Sequence, residues 1–239
     1  MATYRPIKKV IIPIVAALIG LSLSLVFMPT KIDHLYKRWQ RELDRLSEHA
    51  YRIESTYYLD DELASKEEGI WAQGDSHFAI EVNVSDQSVF AFSFTVEGER
   101  LFIHSGNEWR QSTTDERFIE EFAPLDHPFQ WMKEMLVFAD DIDLQKRDGR
   151  LEYIASFSSF DKVDFRGYFL EEQKEATLVW TVQDDELHVR FNARPIRPDY
   201  LGLFDIYPEK VVYDMCLTPT SETIPALPPE AYTSKGIDD

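Results

Sequence analysis

The hydrophobic pattern of the chain begins with one long apolar run. Residues 10–28 carry no charge and span nineteen positions, and at about 1.5 Å per residue they form a helix of roughly 28 Å, close to the hydrocarbon thickness of a bilayer. Residues 1–9 contain Arg5, Lys8 and Lys9 and no acid, so the positive-inside rule places them in the cytoplasm. The pattern predicts a single-pass transmembrane anchor at 10–28 with the main domain outside the cytoplasm.

A cleaved secretory signal peptide is the alternative interpretation of this run. The apolar part of such a peptide is usually about 7–15 residues long and ends at a small-x-small cleavage site. Here the run is longer and ends Phe27-Met28-Pro29, which is a poor cleavage site. The pattern therefore favours an uncleaved anchor, and the rest of the chain is exported under either interpretation.

Helical periodicity follows the anchor. Between residues 30 and 48 the apolar positions recur at spacings of three and four, which places them on one stripe of a helix. Thr30 can cap this helix. The stripe spans barely two heptads, too few for a stable coiled coil, so we expect the helix to pack onto a sheet. The stripe consists of Ile32, Leu35, Tyr36, Trp39, Leu43 and Leu46.

Alternation of apolar and polar residues then dominates the chain, as in half-buried strands. It predicts strands at 51–59, 64–71, 78–84, 90–96, 101–104, around 109, 142–147, 151–157, 177–182, 187–193 and 211–217. Short helices are predicted from Thr114 and Pro128, whereas residues 158–175 are ambiguous. The expected fold is α+β: an N-terminal transmembrane helix, then a curved antiparallel sheet, or half-barrel, packed on helices. The predicted domain covers residues 30–230, and residues 231–239 are a flexible tail.

Aromatic residues make up 13% of the chain and concentrate at alternating strand positions. A sheet face of this kind must be covered. Either the helices cover it and it is a core, or they cover it incompletely and leave a groove for an acyl chain or an apolar peptide. Under the second hypothesis the ligand-binding residues are Tyr57, Phe78, Ile80, Phe90, Phe92, Phe94, Phe157 and Trp180.

Charge and cysteine content narrow the function classes. The net charge is −18, and the first nine residues contribute three positive charges, so the remainder carries −21. Nucleic acid and anionic headgroups are repelled on average, and no nucleic-acid partner is expected. The single cysteine excludes an internal disulfide, and an exported chain nearly free of cysteine is typical of a bacterial envelope.

Sequence motifs indicate no catalytic, metal or cofactor site. The chain lacks HExxH, GxSxG, the Walker loop and the dinucleotide fingerprint. Its six histidines are spread singly, without metal-ligand spacing. Cys216 falls in the last predicted strand without a recognisable base, as expected of an inert thiol. The chain is therefore expected to be a non-enzymatic protein.

The order of elements resembles the LolA/LolB/RseB-like lipoprotein-carrier superfamily over roughly residues 31–230. The shared layout is an N-terminal helix, antiparallel strands, a helical break and further hairpins. It is carried by Gly69-Ile70-Trp71, Trp109, Pro124-Leu125-Asp126-His127-Pro128, Arg147-Asp148-Gly149 and Ile224-Pro225. The resemblance implies a half-open barrel around an apolar cavity, and no individual functional residue is carried over.

The anchor distinguishes this chain from carriers that shuttle cargo across a compartment. A fixed anchor favours an extracytoplasmic module that binds an acyl chain or a lipoprotein-like ligand, in lipid handling or sensing at one membrane. The alternative is a non-enzymatic interaction or scaffold domain that docks a membrane-protein or envelope-regulatory complex.

Overall fold

The computed structural model describes residues 31–85, 88–113, 122, 124–147, 149–198 and 207–236. In chain order its elements are α1 (Lys31–Leu46), β1 (Ala50–Leu59), β2 (Glu62–Ala72), β3 (Asp75–Ser85), β4 (Ser88–Glu97), β5 (Arg100–Ser105), β6 (Glu108–Thr113), α2 (Pro128–Met135), a 3₁₀ turn (Leu136–Phe138), β7 (Asp141–Arg147), β8 (Arg150–Phe165), β9 (Tyr168–Gln183), β10 (Glu186–Ala193), β11 (Val211–Pro219), α3 (Pro229–Tyr232) and β12 (Lys235–Gly236).

All described strands belong to one large, curved and unclosed sheet. The strand order is β12-β6-β5-β4-β3-β2-β1-β11-β10-β9-β8-β7. Consecutive strands pair antiparallel within β1–β6 and within β7–β11, and β1 joins the two groups by pairing with β11. The sheet is thus two antiparallel meanders side by side, in agreement with the antiparallel sheet expected from the alternation of apolar and polar residues.

The inner face of the sheet is the one covered by α1 and α2. Trp39 of α1 packs edge-on against Tyr153 and Trp180, with ring centroids 5.5 and 5.2 Å apart. Phe129 of α2 lies 5.3 Å from Tyr51 and 5.1 Å from Trp71. The prediction that the helix between residues 30 and 48 packs onto a sheet is confirmed.

A hairpin arm formed by residues 158–175 is the part of the fold that alternation left ambiguous. Strands β8 and β9 continue past their neighbours β7 and β10, and their pairing shifts register near Ser159, where the hairpin bends. The arm supplies Phe160, Phe165 and Leu170 to the core. It is held to the chain beyond β10 by two hydrogen bonds between the Gln173 side chain and the Arg194 backbone.

The close approach of β2 and β3 requires a glycine at position 69. A Cβ atom there would lie 2.0 Å from the His77 carbonyl oxygen and 2.5 Å from Cδ1 of Phe78. The space that a side chain would occupy is filled by the Phe78 ring, which is fully buried. Gly69 therefore allows the aromatic inner face to close over β2.

The structure describes the C-terminal end of the predicted domain but not the predicted anchor. Residues 231–236 pack with the domain, since Ala231 is fully buried and β12 pairs with β6; the boundary after residue 230 is corrected accordingly. No helix in the described part of the chain is long and apolar enough to span a bilayer. The predicted anchor at 10–28 and the helix predicted from Thr114 lie outside the described residues.

Candidate functional site on the inner face

The eight residues predicted to contact a ligand lie on the inner face. Strand register places Phe78 opposite Phe94, Ile80 opposite Phe92, and Tyr57 opposite the inward-facing Tyr213. In the second meander, on the same face, Trp180 lies opposite Tyr153, and Phe157 lies opposite Ala176. Alternation therefore gathers residues from both meanders onto one surface, because opposed residues of antiparallel strands share a face.

Seven of these eight side chains are buried by the chain itself. Their exposed fractions range from 0% to 8%, and Phe90 is the exception at 50%. Trp39 of α1 covers Trp180, and the hairpin arm covers Tyr57 and Phe157. Phe122, from the chain between β6 and α2, contacts Phe92 and Phe94. Along most of its length the face is thus a core, and its solvent-accessible part lies at the Phe90 end. That the eight residues bind a ligand remains a prediction.

The accessible part is an apolar rim, which we define as Leu63, Val84 and Phe90, at one end of three adjacent strands. Their exposed fractions are 39%, 67% and 50%. The register places Phe90 opposite Val82, and Val82 opposite Ser65, so Phe90 continues the inner face, whereas Leu63 and Val84 lie at register shifts of β2 and β3. Phe90 contacts Phe92 at 5.5 Å between ring centroids, so the rim leads directly into the buried aromatic layer.

Beneath the rim lies a buried ion pair between Arg166 and Glu67. Arg166 Nη1 donates to Glu67 Oε1 at 2.9 Å, and the two side chains are 3% and 0% exposed. Hydroxyls of Ser55 and Ser65 also donate to the Glu67 carboxylate. The Arg166 guanidinium lies over the rings of Tyr57 and Tyr213, 4.9 and 4.6 Å from their centroids.

The ion pair shows how far the arm extends across the inner face of the sheet. Glu67 is in β2, four strands from β9, which corresponds to roughly 19 Å along the sheet. Arg166 nevertheless reaches it, because Arg166 and Gly167 form the turn at the tip of the arm. Both turn residues have positive φ, 52° and 81°, as a tight two-residue hairpin requires. The arm therefore closes the inner face near the rim.

The pKa values in this cluster follow from burial and the one carboxylate. Burial alone would lower the pKa of Arg166, but the charge of Glu67 and the hydrogen bond to it outweigh burial and raise it. Burial raises the pKa of Tyr57 and of Tyr213, although the Arg166 charge opposes this in both. Arg166 and its two tyrosines thus form a cation flanked by neutral phenols.

Tyr57 gives this cluster a measurable alkaline signature. Because burial raises its folded pKa above the unfolded value of about 10, the unfolded state alone loses the proton as pH rises past that value, and stability falls. Above about pH 10 the free energy of unfolding of Tyr57→Phe is expected to fall less steeply than that of the original chain, by about 1.4 kcal/mol per pH unit. The Tyr57 hydroxyl has no hydrogen-bond partner among the described residues, so its removal costs little at neutral pH.

The measurement is urea unfolding of the two proteins at several pH values, followed by tryptophan fluorescence. All five tryptophans lie after residue 30, so the signal reports the domain. Parallel stability profiles below about pH 9 are the internal control. If the profiles also stayed parallel above pH 10, Tyr57 would have to be accessible to solvent in the folded state.

Sequence reasoning missed both members of the ion pair. Glu67 falls on the inward side of the predicted strand 64–71, where an acid is unexpected, and this conflict with alternation is a local sign of a buried partner. Arg166-Gly167 is a turn signal inside the ambiguous segment. The pairing itself spans 99 residues, and no local pattern specifies it.

Comparison with known proteins adds a likeness in backbone. No protein-family model matches the chain, and no curated protein matches it in sequence. Among solved structures, LprF from Mycobacterium bovis is similar: it is 13% identical, the match covers 83% of this chain and 98% of LprF, and the TM-score is 0.45. A likeness at this level carries no argument about function, which has to rest on the chain's own residues.

Proposed function

We propose that the chain is a membrane-anchored, extracytoplasmic and non-enzymatic module that binds an acyl chain or a lipoprotein-like apolar ligand. The observation that carries the proposal is the apolar rim, where Leu63, Val84 and Phe90 are exposed at the ends of three adjacent strands and Phe90 adjoins the aromatic inner face. Exposed apolar side chains that adjoin one another are characteristic of ligand-binding or interaction surfaces. The layout shared with lipoprotein carriers supports the same proposal.

The ligand is proposed to enter at the rim. Phe92 and Phe94 are already in contact with Phe122, so an acyl chain first replaces solvent around Phe90. Further penetration requires the arm to move, since its tip covers Ser65 and Glu67 next to the rim. Phe90 is thus proposed as the first contact, with Phe92 behind it.

The buried state of the other seven residues favours a second candidate function. A core filled by the chain's own side chains needs no ligand, and the rim is then a docking surface for a membrane-protein partner or an envelope regulator. The two candidates differ in what covers Phe90: an acyl chain in the first and a protein surface in the second.

A binding experiment with two phenylalanine variants separates the candidates. The full-length chain is held in amphipol and titrated with palmitate that bears an environment-sensitive fluorophore. Phe90→Ser removes a side chain whose burial is worth about 1.5–3 kcal/mol, so we expect at least a roughly tenfold loss of affinity. Phe169→Ser is the matched control, because Phe169 is 44% exposed on the arm and does not belong to the rim.

Saturable binding that Phe90→Ser weakens and Phe169→Ser does not would support the acyl-chain function. Absence of saturable binding, or equal binding by all three proteins, would reject it. In that case the docking function is tested by crosslinking from position 90 in an intact bacterial envelope. This function requires a stoichiometric protein partner, and the Phe90→Ser variant should lose that partner.

A further inference from the structure

The outer face of the sheet gathers three side chains of metal-binding type. Glu186 and His188 are two positions apart in β10, so their side chains share a face. His188 lies directly opposite Cys216 of β11. His188 Nε2 is 2.5 Å from Glu186 Oε1 and 3.9 Å from Cys216 Sγ. The three donor atoms all lie within 4.8 Å of one another.

We propose that Glu186, His188 and Cys216 bind a zinc ion, with the fourth coordination position open to water or to an external ligand. Carboxylate oxygen, imidazole nitrogen and thiolate sulfur are the three kinds of protein ligand that Zn²⁺ takes. Magnesium and calcium prefer all-oxygen sites, so the thiolate and imidazole select against them. The site lies on the face opposite the apolar rim and goes beyond the function proposed above.

The donor spacing suits a tetrahedral zinc centre after small side-chain movements. Zn–S and Zn–N distances of about 2.3 and 2.0 Å, with a similar Zn–O distance, require separations of roughly 3.6 Å between sulfur and nitrogen and roughly 3.3 Å between nitrogen and oxygen. The corresponding separations here are 3.9 and 2.5 Å. The thiol must approach by a few tenths of an ångström and the Glu186 carboxylate must withdraw by less than about 1 Å, which side-chain torsions allow.

The backbone already holds two of the donors in place. His188 and Cys216 are paired in the middle of the β10–β11 ladder, with Leu187↔Leu217 and Val189↔Met215 on either side. These four flanking residues are buried on the inner face. A one-residue slip would move all of them to solvent, so the core fixes the register that brings imidazole and thiol together.

The surroundings of the cluster favour a cation. His188 and Cys216 line a groove of about 520 Å³ on the outer face. Its other charged lining residues are three acids and two bases: Glu54, Glu152, Asp214, Lys66 and Arg190. Glu54 lies directly opposite Cys216 across β1 and β11. In a chain of net charge −18 this groove attracts a divalent cation and has room for a small ligand beside it.

Cobalt is the spectroscopic probe for this site. The full-length chain is purified in mild detergent, without an affinity tag that binds metals, in the presence of a phosphine reductant, and titrated with Co²⁺. We expect thiolate-to-cobalt charge-transfer absorption that saturates at one equivalent per chain and disappears when Zn²⁺ is added. Cys216→Ser abolishes this absorption, and His188→Asn and Glu186→Gln each weaken Co²⁺ binding at least tenfold.

His34→Asn is the matched control, because His34 lies exposed on α1, away from the cluster, and should leave the titration unchanged. Protection of Cys216 provides a second measurement, since bound Zn²⁺ slows its reaction with a thiol reagent at least tenfold in the original chain and not in His188→Asn. Charge-transfer absorption that survives His188→Asn, or a thiol that zinc does not protect, would show an adventitious thiol contact and overturn the proposal. Unchanged tryptophan unfolding curves verify that each variant is folded.

Discussion

Replacing Arg166 with methionine is expected to lower the free energy of unfolding by about 3–5 kcal/mol, because it leaves the Glu67 carboxylate buried without its cation. Glu67 is 0% exposed and Arg166 is its ion-pair partner in the described structure. The serine hydroxyls that also contact Glu67 are neutral and do not replace the lost charge. The backbone strain at position 166 is the same for both residues, because each is a non-glycine at positive φ.

Urea unfolding followed by tryptophan fluorescence measures this loss, and two further variants interpret it. Glu67→Met combined with Arg166→Met removes both charges, and we expect it to recover most of the stability, since apolar residues of similar volume often replace a buried ion pair without loss. Arg190→Met is the control for an exposed pair: Arg190 and Asp214 are 3.7 Å apart and 57% and 38% exposed, so the cost is below about 1 kcal/mol. An Arg166→Met cost no larger than that of Arg190→Met would mean that the arm does not close over β2.

Trp39→Ala is expected to cost about 3–5 kcal/mol, the range for deleting a large buried aromatic side chain. Trp39 is fully buried and packs against two rings that themselves stack, Tyr153 and Trp180, whose centroids are 4.2 Å apart. Loss of the indole removes the aromatic contacts of α1 with β8 and β9. The variant also tests the cover of the inner face, because a loosened helix uncovers the far end of the aromatic layer.

Trp109→Ala is the matched control, since it removes the same fluorophore from a partly buried site. Trp109 stacks on His104 near the edge of the sheet, with ring centroids 4.5 Å apart, and its loss should cost about 1 kcal/mol. Unfolding of both variants is followed by the four remaining tryptophans. If Trp39→Ala were no more destabilising than Trp109→Ala, α1 would not be part of the core in solution. Increased binding of an apolar dye by Trp39→Ala alone would show that the helix is what keeps the face from solvent.

Local patterns determined most of the strands and the composition of the inner face. Alternation is a property of neighbouring residues, so the strands around Tyr57, Phe92 and Trp180 and the face they share follow from the sequence alone. The hairpin turns also follow locally, as at Asp184-Asp185, where both residues have positive φ. The helical stripe that contains Trp39 predicted the packing of α1 onto the sheet for the same reason.

Tertiary structure alone decided which part of that face is core and which part meets solvent. Phe92 is buried and Phe90 is exposed because Phe122 packs on Phe92, a contact between residues thirty positions apart in the chain. Residues 158–175 showed no clear periodicity because β8 and β9 shift register and bend there, and beyond their neighbours they pair mainly with each other. The pairing of Glu67 with Arg166 and the meeting of His188 with Cys216 are consequences of strand order and register. Both are fixed by burial of the whole sheet, so no short stretch of sequence contains them.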